Sequence, residues 1–234
     1  MTASEIKKEM NALGSKQRAE HSLRFFKTGK GEYGEGDKFL GLSMPEQRVI
    51  AKKYKDLPLT EIQKLVKSPF HEHRMVGLII LTFQYPLASE KTKKQLYTFY
   101  LKNTKYINNW DLVDVTTPRI VGEYLVDKNK AILHTLASSK SLWERRIAIL
   151  ATFAFIRRGV LTHTFSIAKA LLHDREDLMH KAVGWMLREA GKKDQAKLED
   201  FLQTYAHIMP RTMLRYAIEK FTEAERKKYL ARGR

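Results

Sequence analysis

The segment ERRIAILATF (residues 144–153) places two arginines directly before a run of apolar residues, and related segments recur along the chain. These are EHRMVGLIIL (72–81), HKAVGWMLRE (180–189) and LRYAIEKF (214–221). Each segment has a cation before its apolar run, and these cations are Arg74, Arg146, Lys181 and Arg215. Successive cations are 72, 35 and 34 residues apart, so the first interval spans two periods with Trp110 at its midpoint. This period predicts stacked helical hairpins in the HEAT range.

Helical spacing of apolar residues extends through nearly the whole sequence, and no segment alternates long enough to predict a strand. We therefore predict an all-α fold, a superhelical array of HEAT-like helical hairpin repeats forming one α-solenoid domain over residues 1–234. One helix of each repeat would face a shared concave surface, where the four cations would form a basic stripe. The alternative is that these cations only occupy the polar edge of each helix.

Local signals mark several helix starts and one loop. The capping-box pattern occurs at Ser43–Glu46, Thr60–Gln63 and Thr222–Glu225. The segment TGKGEYGEGDKFLG (28–41) contains five glycines, but it has neither a preceding strand nor the Walker pattern of a phosphate-binding loop. We predict a surface loop near residues 29–41.

Charge indicates the class of partner. The chain has 43 Lys and Arg against 26 Asp and Glu, a net charge of +17. Such a field attracts polyanions, so nucleic acid is the first expectation and an anionic membrane surface the second. No apolar run approaches the roughly 20 residues that span a bilayer, and the N-terminus lacks the apolar core of a signal peptide. We expect a monomeric cytoplasmic protein associated with the nucleoid and not with a membrane.

The sequence gives little support for metal or thiol chemistry. The chain has no cysteine, which excludes disulfides, zinc–thiolate sites, iron–sulfur clusters and thiol nucleophiles. The segment HEHR (71–74) contains two histidines, but His71 and His73 do not face each other on a helix and the H-E-x-x-H spacing is absent. We predict no metal and no cofactor.

The segment INNWDLVDVTTPRIVGEYL (107–125) holds the candidate catalytic residues. Trp110 and Asp114 are four residues apart and share one face of a helix. A carboxylate buried without a partner costs several kcal/mol, so Asp114 needs either a partner, such as Arg119 or Arg146, or a function. Trp110 alone would more often be a packing residue.

Three further residues each have two possible interpretations. Asp111 competes with Asp114 because it adjoins Trp110 and has the chemistry of a helix cap. Trp185 lies in the apolar run AVGWML and is compatible with the core. Trp143 is either a packing residue or a surface residue that faces DNA.

Four segments together resemble the AlkD-type DNA alkylation-repair glycosylases over about residues 20–220. They are FLGLSMPEQR (39–48), NNWDLVDVTTPRIVGEYL (108–125), LWERRIAIL (142–150) and HKAVGWMLREAGK (180–192). The resemblance implies a HEAT-like superhelix that holds duplex DNA on a basic concave face. It also implies hydrolysis of the N-glycosidic bond of purines alkylated at N3 or N7.

The resemblance assigns roles by motif. It places Trp110 and Asp114 on the catalytic tryptophan and aspartate, and Trp185 on a second active-site tryptophan. Arg146 falls on an arginine that contacts the DNA backbone, and Arg188 matches a further basic residue. With the basic stripe, the predicted DNA-binding residues are Arg74, Arg146, Lys181, Arg188 and Arg215. Family members often have a second tryptophan where this chain has Asn109, which puts the wall of the site in doubt.

The chemistry of these residue types fits such a reaction. Alkylation makes the base a cationic leaving group, so positive charge develops on the sugar, where a carboxylate stabilises it. A carboxylate also orients or deprotonates water, and indole faces attract cations. Two alternatives remain: a non-catalytic HEAT-repeat protein that binds damaged or branched DNA, and a scaffold for an acidic protein. No lysine lies in the catalytic motif to form a Schiff base, although Lys181 keeps lyase activity open.

Overall fold

The computed structural model describes residues 1–231, and the prediction of an all-α, repeat-like fold is confirmed. The feature closest to a strand in this range is an isolated parallel bridge between Lys38 and Phe70. Among the described residues, none of the helices combines the length and apolar character needed to cross a bilayer. The chain forms two compact units, Met1–Thr116 (unit 1) and Thr117–Arg234 (unit 2). That both belong to one solenoid domain stays a prediction.

Unit 1 carries six complete helices and most of a seventh. They are α1 (Ala3–Leu13), α2 (Lys16–Phe25), α3 (Met44–Lys53), α4 (Leu59–Val66), α5 (His71–Gln84), α6 (Glu90–Lys102) and α7 (Trp110–Thr117). Short 3-10 turns follow α5 at Tyr85–Leu87 and α6 at Thr104–Tyr106. The glycine-rich segment 28–41 is irregular between α2 and α3, in agreement with the predicted loop.

Unit 2 begins with a π-helical turn, Pro118–Gly122, and continues with nine helices in its described part. They are α8 (Glu123–Leu125), α9 (Ala131–Ala137), α10 (Leu142–Ala151), α11 (Phe153–Arg157), α12 (Thr162–Ala170), α13 (Asp177–Gly191), α14 (Gln195–Tyr205), α15 (Arg211–Ala217) and α16 (Glu223–Ala231). The π turn begins at Pro118, whose missing N–H interrupts the regular helical hydrogen bonding.

Two of the three predicted capping boxes are confirmed. Ser43 and Glu46 form one at the start of α3, and Thr222 and Glu225 exchange the expected hydrogen bonds before α16. The box predicted at Thr60 is wrong, because α4 begins at Leu59 with Pro58 as its N-cap.

One buried helix organises the core of each unit. In unit 1, α5 packs against α3 and α4, and every residue from His71 to Thr82 is buried. In unit 2, α13 packs against α10, α14 and α15. Gly184 of α13 permits the contact with α15, since a Cβ atom there would lie 2.5 Å from the carbonyl oxygen of Met213.

Local hydrogen bonds define the register of the repeat. In three places, the side-chain oxygen of residue i accepts the N–H of residue i+2. The carbonyl oxygen of the same residue accepts a side-chain N–H of residue i+6. The pairs i and i+6 are Ser68 and Arg74, Ser139 and Arg145, and Asp174 and His180.

The predicted equivalence of Arg74 with the cations of unit 2 is therefore wrong by one residue. Arg145 and His180, and not Arg146 and Lys181, are the structural equivalents of Arg74. The sequence did not distinguish them, because Arg145 and His180 each directly precede another basic residue. The two positions differ in one side-chain hydrogen bond to the loop that precedes the helix. This bond is visible only in the structure.

Candidate active site

Unit 1 contains a cavity of about 300 Å³ whose lining includes both Trp110 and Asp114. This volume lies at the lower end of the range for small-molecule sites. The other walls come from the end of α2, the segment before α3 and the start of α5. The indole and the carboxylate that the sequence places on one helix face thus line the same cavity.

The first turn of α7 sets the orientation of this pair. The side-chain oxygen of Asn109 accepts the N–H of Trp110 at 2.8 Å, which satisfies one of the amides that a helix start leaves without an intrahelical partner. Asn109 is fully buried and does not line the cavity. Asn109 therefore supports the start of α7 and takes no part in the cavity wall.

Two phenylalanines at the end of α2 contact Trp110. The Phe26 ring centroid lies 5.6 Å from that of Trp110 at an interplanar angle of 31°. Phe25 meets the same indole edge to face at 5.9 Å and is 56% exposed. These separations lie within the range of favourable aromatic pairs, so the indole is held from one side by α2.

A second aromatic layer lies against Phe26. Phe39 stacks on Phe26 at 5.2 Å, and the imidazole of His71 lies 4.9 Å from both rings. Phe26, Phe39 and His71 all line the cavity. One wall of the cavity is therefore aromatic, with one titratable ring in it.

Two carboxylates flank the buried His71 ring. Its Nε2 atom lies 2.8 Å from Oδ2 of Asp111, and its Nδ1 atom lies 3.5 Å from Oδ2 of Asp37. Burial alone would lower the pKa of His71, but the charge and hydrogen bond of Asp111, with a contribution from Asp37, outweigh it and raise the pKa to about 9. His71 is therefore an imidazolium at neutral pH.

Asp111 is consequently a partner of His71. Its second oxygen, Oδ1, accepts the N–H of Leu112 at 2.8 Å. Both oxygens are thus hydrogen-bonded, which accounts for the carboxylate that competed with Asp114 in the sequence.

Arg74 is buried, contrary to its predicted place on an exposed basic stripe. The residue is 3% exposed, and its guanidinium contacts Asp37 at 2.7 Å and the carbonyl of Ser68 at 3.1 Å. Its partners lower the pKa of Asp37: burial opposes the shift, but the hydrogen bond from His71 and the charge of Arg74 prevail. Arg74 thus supports the site from within the fold.

Glu72 holds the segment that carries Phe39. Its buried carboxylate accepts the backbone N–H groups of Leu40, Gly41 and Leu42 at 2.8–3.3 Å. Gly41 has a positive φ of 80°, and a Cβ atom there would lie 2.2 Å from the carbonyl of Ser15. The conformation therefore requires glycine, and the motif FLGLS is a loop built around one buried acid.

Carboxylates are concentrated at the cavity inside a basic chain. Among the described residues, Glu72, Asp111 and Asp114 line it and Asp37 lies behind it. The cations His71 and Arg74 contact Asp37, and His71 also contacts Asp111. Carboxylates attract a cationic ligand.

Trp185 lies in unit 2, in an aromatic and cationic cluster of its own. Its ring centroid is 5.9 Å from that of Phe153, and the guanidinium of Arg157 lies 4.5 Å over the Phe153 ring. Trp185 is half-buried, whereas its helix neighbours Gly184 and Met186 are buried. Its predicted convergence with Asp114 stays a prediction.

The four predicted DNA-binding residues of unit 2 differ in exposure. Arg146 is 4% exposed and donates to the carbonyl of Leu178. Arg188 is half-buried and ion-paired with Glu189 and Glu219. Lys181 pairs with Asp177 at the surface, and Arg215 is exposed. Lys181 and Arg215 thus have the accessible positions, and the DNA-binding role of all four stays a prediction.

Sequence reasoning missed the aromatic and ionic support of the cavity. Phe26, Phe39, His71 and Asp37 had no assigned role, and HEHR was considered only as a metal site. In the described part of the chain, no group of three or more acidic or histidine side chains is arranged to hold a metal ion. The available signal was the position of Phe39 in FLGLSMPEQR, one of the four segments that carried the family resemblance.

Comparison with known proteins finds a family and similar solved structures. The sequence model of a family described as DNA alkylation repair enzyme matches residues 6–221. A solved structure described as a predicted DNA alkylation repair enzyme from Enterococcus faecalis is similar in fold, with a TM-score of 0.70 and 15% identity. The similarity covers 90% of this chain and 97% of that one. No curated protein matches the chain.

Proposed function

This chain belongs to the DNA alkylation repair enzyme family, and from that premise we propose that it is a DNA glycosylase. Membership supports a role in DNA repair, enzymatic activity and binding to DNA. The proposed reaction is hydrolysis of the N-glycosidic bond of purines alkylated at N3 or N7 in duplex DNA.

The observation that carries this proposal is the cavity of unit 1. A carboxylate and an indole line it together, Phe26 and Phe39 form its aromatic wall, and Glu72 and Asp111 are further carboxylates in its lining. A purine alkylated at N3 or N7 is planar, aromatic and cationic. Aromatic faces and carboxylates are the features that attract such a group.

In the proposed reaction, the bond between the sugar and the cationic base breaks and the base departs neutral. Positive charge passes to the deoxyribose, where Asp114 stabilises it electrostatically. Asp114 also orients or deprotonates the water that attacks the sugar. Trp110 presents its electron-rich face to the same cationic centre, and no acid is needed for the leaving group because the base already carries the charge. Trp185 contributes a second indole in this proposal.

DNA binding is proposed to use the basic surface of the chain. Lys181 and Arg215 are accessible for phosphate contacts, with Arg188 beside them in the proposal. Each phosphate contact releases counterions. The logarithm of the binding constant should therefore fall linearly with the logarithm of the salt concentration, with a slope of about 0.9 per phosphate contact. Arg146 keeps its proposed role at the DNA backbone, although its guanidinium is engaged by Leu178.

The test is release of 7-methylguanine and 3-methyladenine from methylated duplex DNA by wild type and Asp114→Asn. We expect the wild type to exceed the spontaneous rate and the variant to lose activity by about 100-fold or more, as when one transition-state electrostatic contact is removed. DNA affinity should remain nearly unchanged. Asp127→Asn is the matched control, because Asp127 is exposed and absent from the cavity.

Two results would contradict the proposal. Absence of release by a protein that binds the same DNA would favour the non-catalytic binder. Equal rates for Asp114→Asn and wild type would leave a glycosylase whose chemistry lies elsewhere than in this cavity.

A further inference from the structure

We propose that His71 is a positioning residue for the candidate active site, holding the first turn of α7 against the C-terminal part of the glycine-rich segment 28–41. The inference rests on the proposed function, because the residues it positions are Trp110 and Asp114. His71 acts through its neighbours in this role and touches no reacting atom.

The first connection runs from α5 to α7. His71 is the first residue of α5, and Asp111 is the second residue of α7. Their side chains meet at 2.8 Å although 40 residues separate them in sequence. Asp111 lies between Trp110 and Leu112 in the first turn, so this ion pair restrains the turn that orients the indole and, one turn later, Asp114.

The second connection runs from α5 to the loop. Asp37, at the end of the glycine-rich segment, lies 3.5 Å from Nδ1 of His71 and is also bound by Arg74 at 2.7 Å and by Asn108 at 3.3 Å. Asn108 lies two residues before the start of α7. Asp37 therefore connects α5 to the segment before α7. His71 makes a parallel connection from α5 to α7 through Asp111.

Two phenylalanines in contact with the imidazole complete the support. Phe26 and Phe39 lie 4.9 Å from it, and Phe26 in turn contacts Trp110. A cationic ring beside two aromatic rings gains a cation–π contribution when water is excluded. Displacement of His71 would therefore disturb both the ionic connection to α7 and the wall against which the indole rests.

A direct role in proton transfer does not fit the geometry. Nε2 is bound to Asp111, Nδ1 faces Asp37, and the side chain is 2% exposed. Neither nitrogen is available to accept a proton from water. The charged groups that face the ring are Asp37 from the loop, Asp111 from α7, and Arg74 with Glu72 from its own helix α5.

The test combines single-turnover kinetics on methylated duplex DNA with NMR of the histidine ring. His71→Gln keeps a hydrogen-bond donor for Asp111 but no charge, and His71→Phe keeps a ring without either. We expect the rate of base release to fall by about 10- to 100-fold, more for Phe than for Gln, with DNA affinity unchanged within about twofold. His207→Gln is the control, because His207 is exposed and outside the cavity.

The NMR signals of the His71 imidazole separate a positioning role from a general effect on protein stability. The imidazole resonances that vanish in His71→Gln should titrate near pH 9 in the wild type and at a clearly lower pH in Asp111→Asn. If His71→Gln does not fold, the double variant His71→Gln with Asp111→Asn, a neutral amide pair of similar size, replaces it and should show the same loss of rate.

The outcomes distinguish the two proposals. Wild-type rates in folded His71→Gln, with Asp114→Asn inactive, would overturn the positioning role and leave the proposed function standing. A His71 ring that titrates near 6.5 would overturn the ionic connection. Absence of base release by the wild type would overturn the proposed function and the positioning role together.

Discussion

Raising the pH from 6.5 to about 10 should selectively destabilise unit 1 through the loss of the charge on His71. The pKa of this ring is raised from 6.5 to about 9 in the folded protein, because Asp111 and Asp37 outweigh the effect of burial. A folded-state pKa above the unfolded one means that the stabilisation is complete below pH 6.5 and is lost as the pH rises through about 9.

The magnitude follows from the two pKa values. Each pH unit of difference corresponds to 1.36 kcal/mol, so the rise from 6.5 to about 9 corresponds to about 3 kcal/mol. The ring is almost completely buried, and solvent therefore screens this contribution little. Against a total stability of about 5–15 kcal/mol for a domain, such a loss is readily measured.

The assay is urea unfolding followed by tryptophan fluorescence over this pH range, in wild type and His71→Gln. Two of the three tryptophans, Trp143 and Trp185, lie in unit 2. Replacing both by phenylalanine in each protein leaves Trp110 as the reporter of unit 1. The free energy of unfolding should fall by about 3 kcal/mol more in the parent than in His71→Gln.

Because lysines and tyrosines also titrate at alkaline pH, the difference between the two proteins is the measured quantity. Parallel curves from pH 6.5 to 10 would refute the reasoning, since they would mean that His71 is uncharged or that its ion pairs do not contribute.

Two further predictions concern other residues of the buried helices. Burial, with a contribution from the cations Lys7 and Arg74, lowers the pKa of His73 to about 4, so stability should fall as the pH drops from 6.5 to about 4. Urea unfolding of His73→Gln should lack this loss, and equal acid sensitivity would contradict it. Gly184→Ala should destabilise unit 2 by about 1–3 kcal/mol, since its Cβ would lie 2.5 Å from a backbone carbonyl. A Cβ atom at Gly77 would meet nothing closer than the Cβ of Leu65 at 3.1 Å, so Gly77→Ala should cost less when both variants are compared by thermal unfolding, and the reverse order would contradict the steric reasoning.

The buried charges explain how a chain of net charge +17 contains a cavity lined by carboxylates. Asp37, Glu72 and Asp111 are buried and bind internal partners, and Glu72 and Asp111 also line the cavity. The surface keeps the excess of lysine and arginine that favours a polyanion. In the proposed function, DNA is attracted by the basic surface and the cationic base by the carboxylates of the cavity.

Part of the site was predictable because it depends on local geometry. The shared face of Trp110 and Asp114 follows from the helical period, which a sequence displays directly. The burial of Arg74 was not predictable, because an arginine before an apolar run has the same local pattern whether it faces solvent or an acid. Its partner Asp37 lies 37 residues away, in a loop without periodicity.

By itself, the sequence determined the all-α class, the helix starts at Ser43 and Thr222, and the pairing of indole and carboxylate on α7, since all of these arise from residues within a few positions of each other. Only the tertiary structure decided which buried polar groups meet, and it placed His71 between Asp37 and Asp111 and Phe26 against Trp110. The physical reason is that a buried charge requires a partner of opposite sign at hydrogen-bond distance. The packing of distant segments, and not the order of neighbouring residues, supplies that partner.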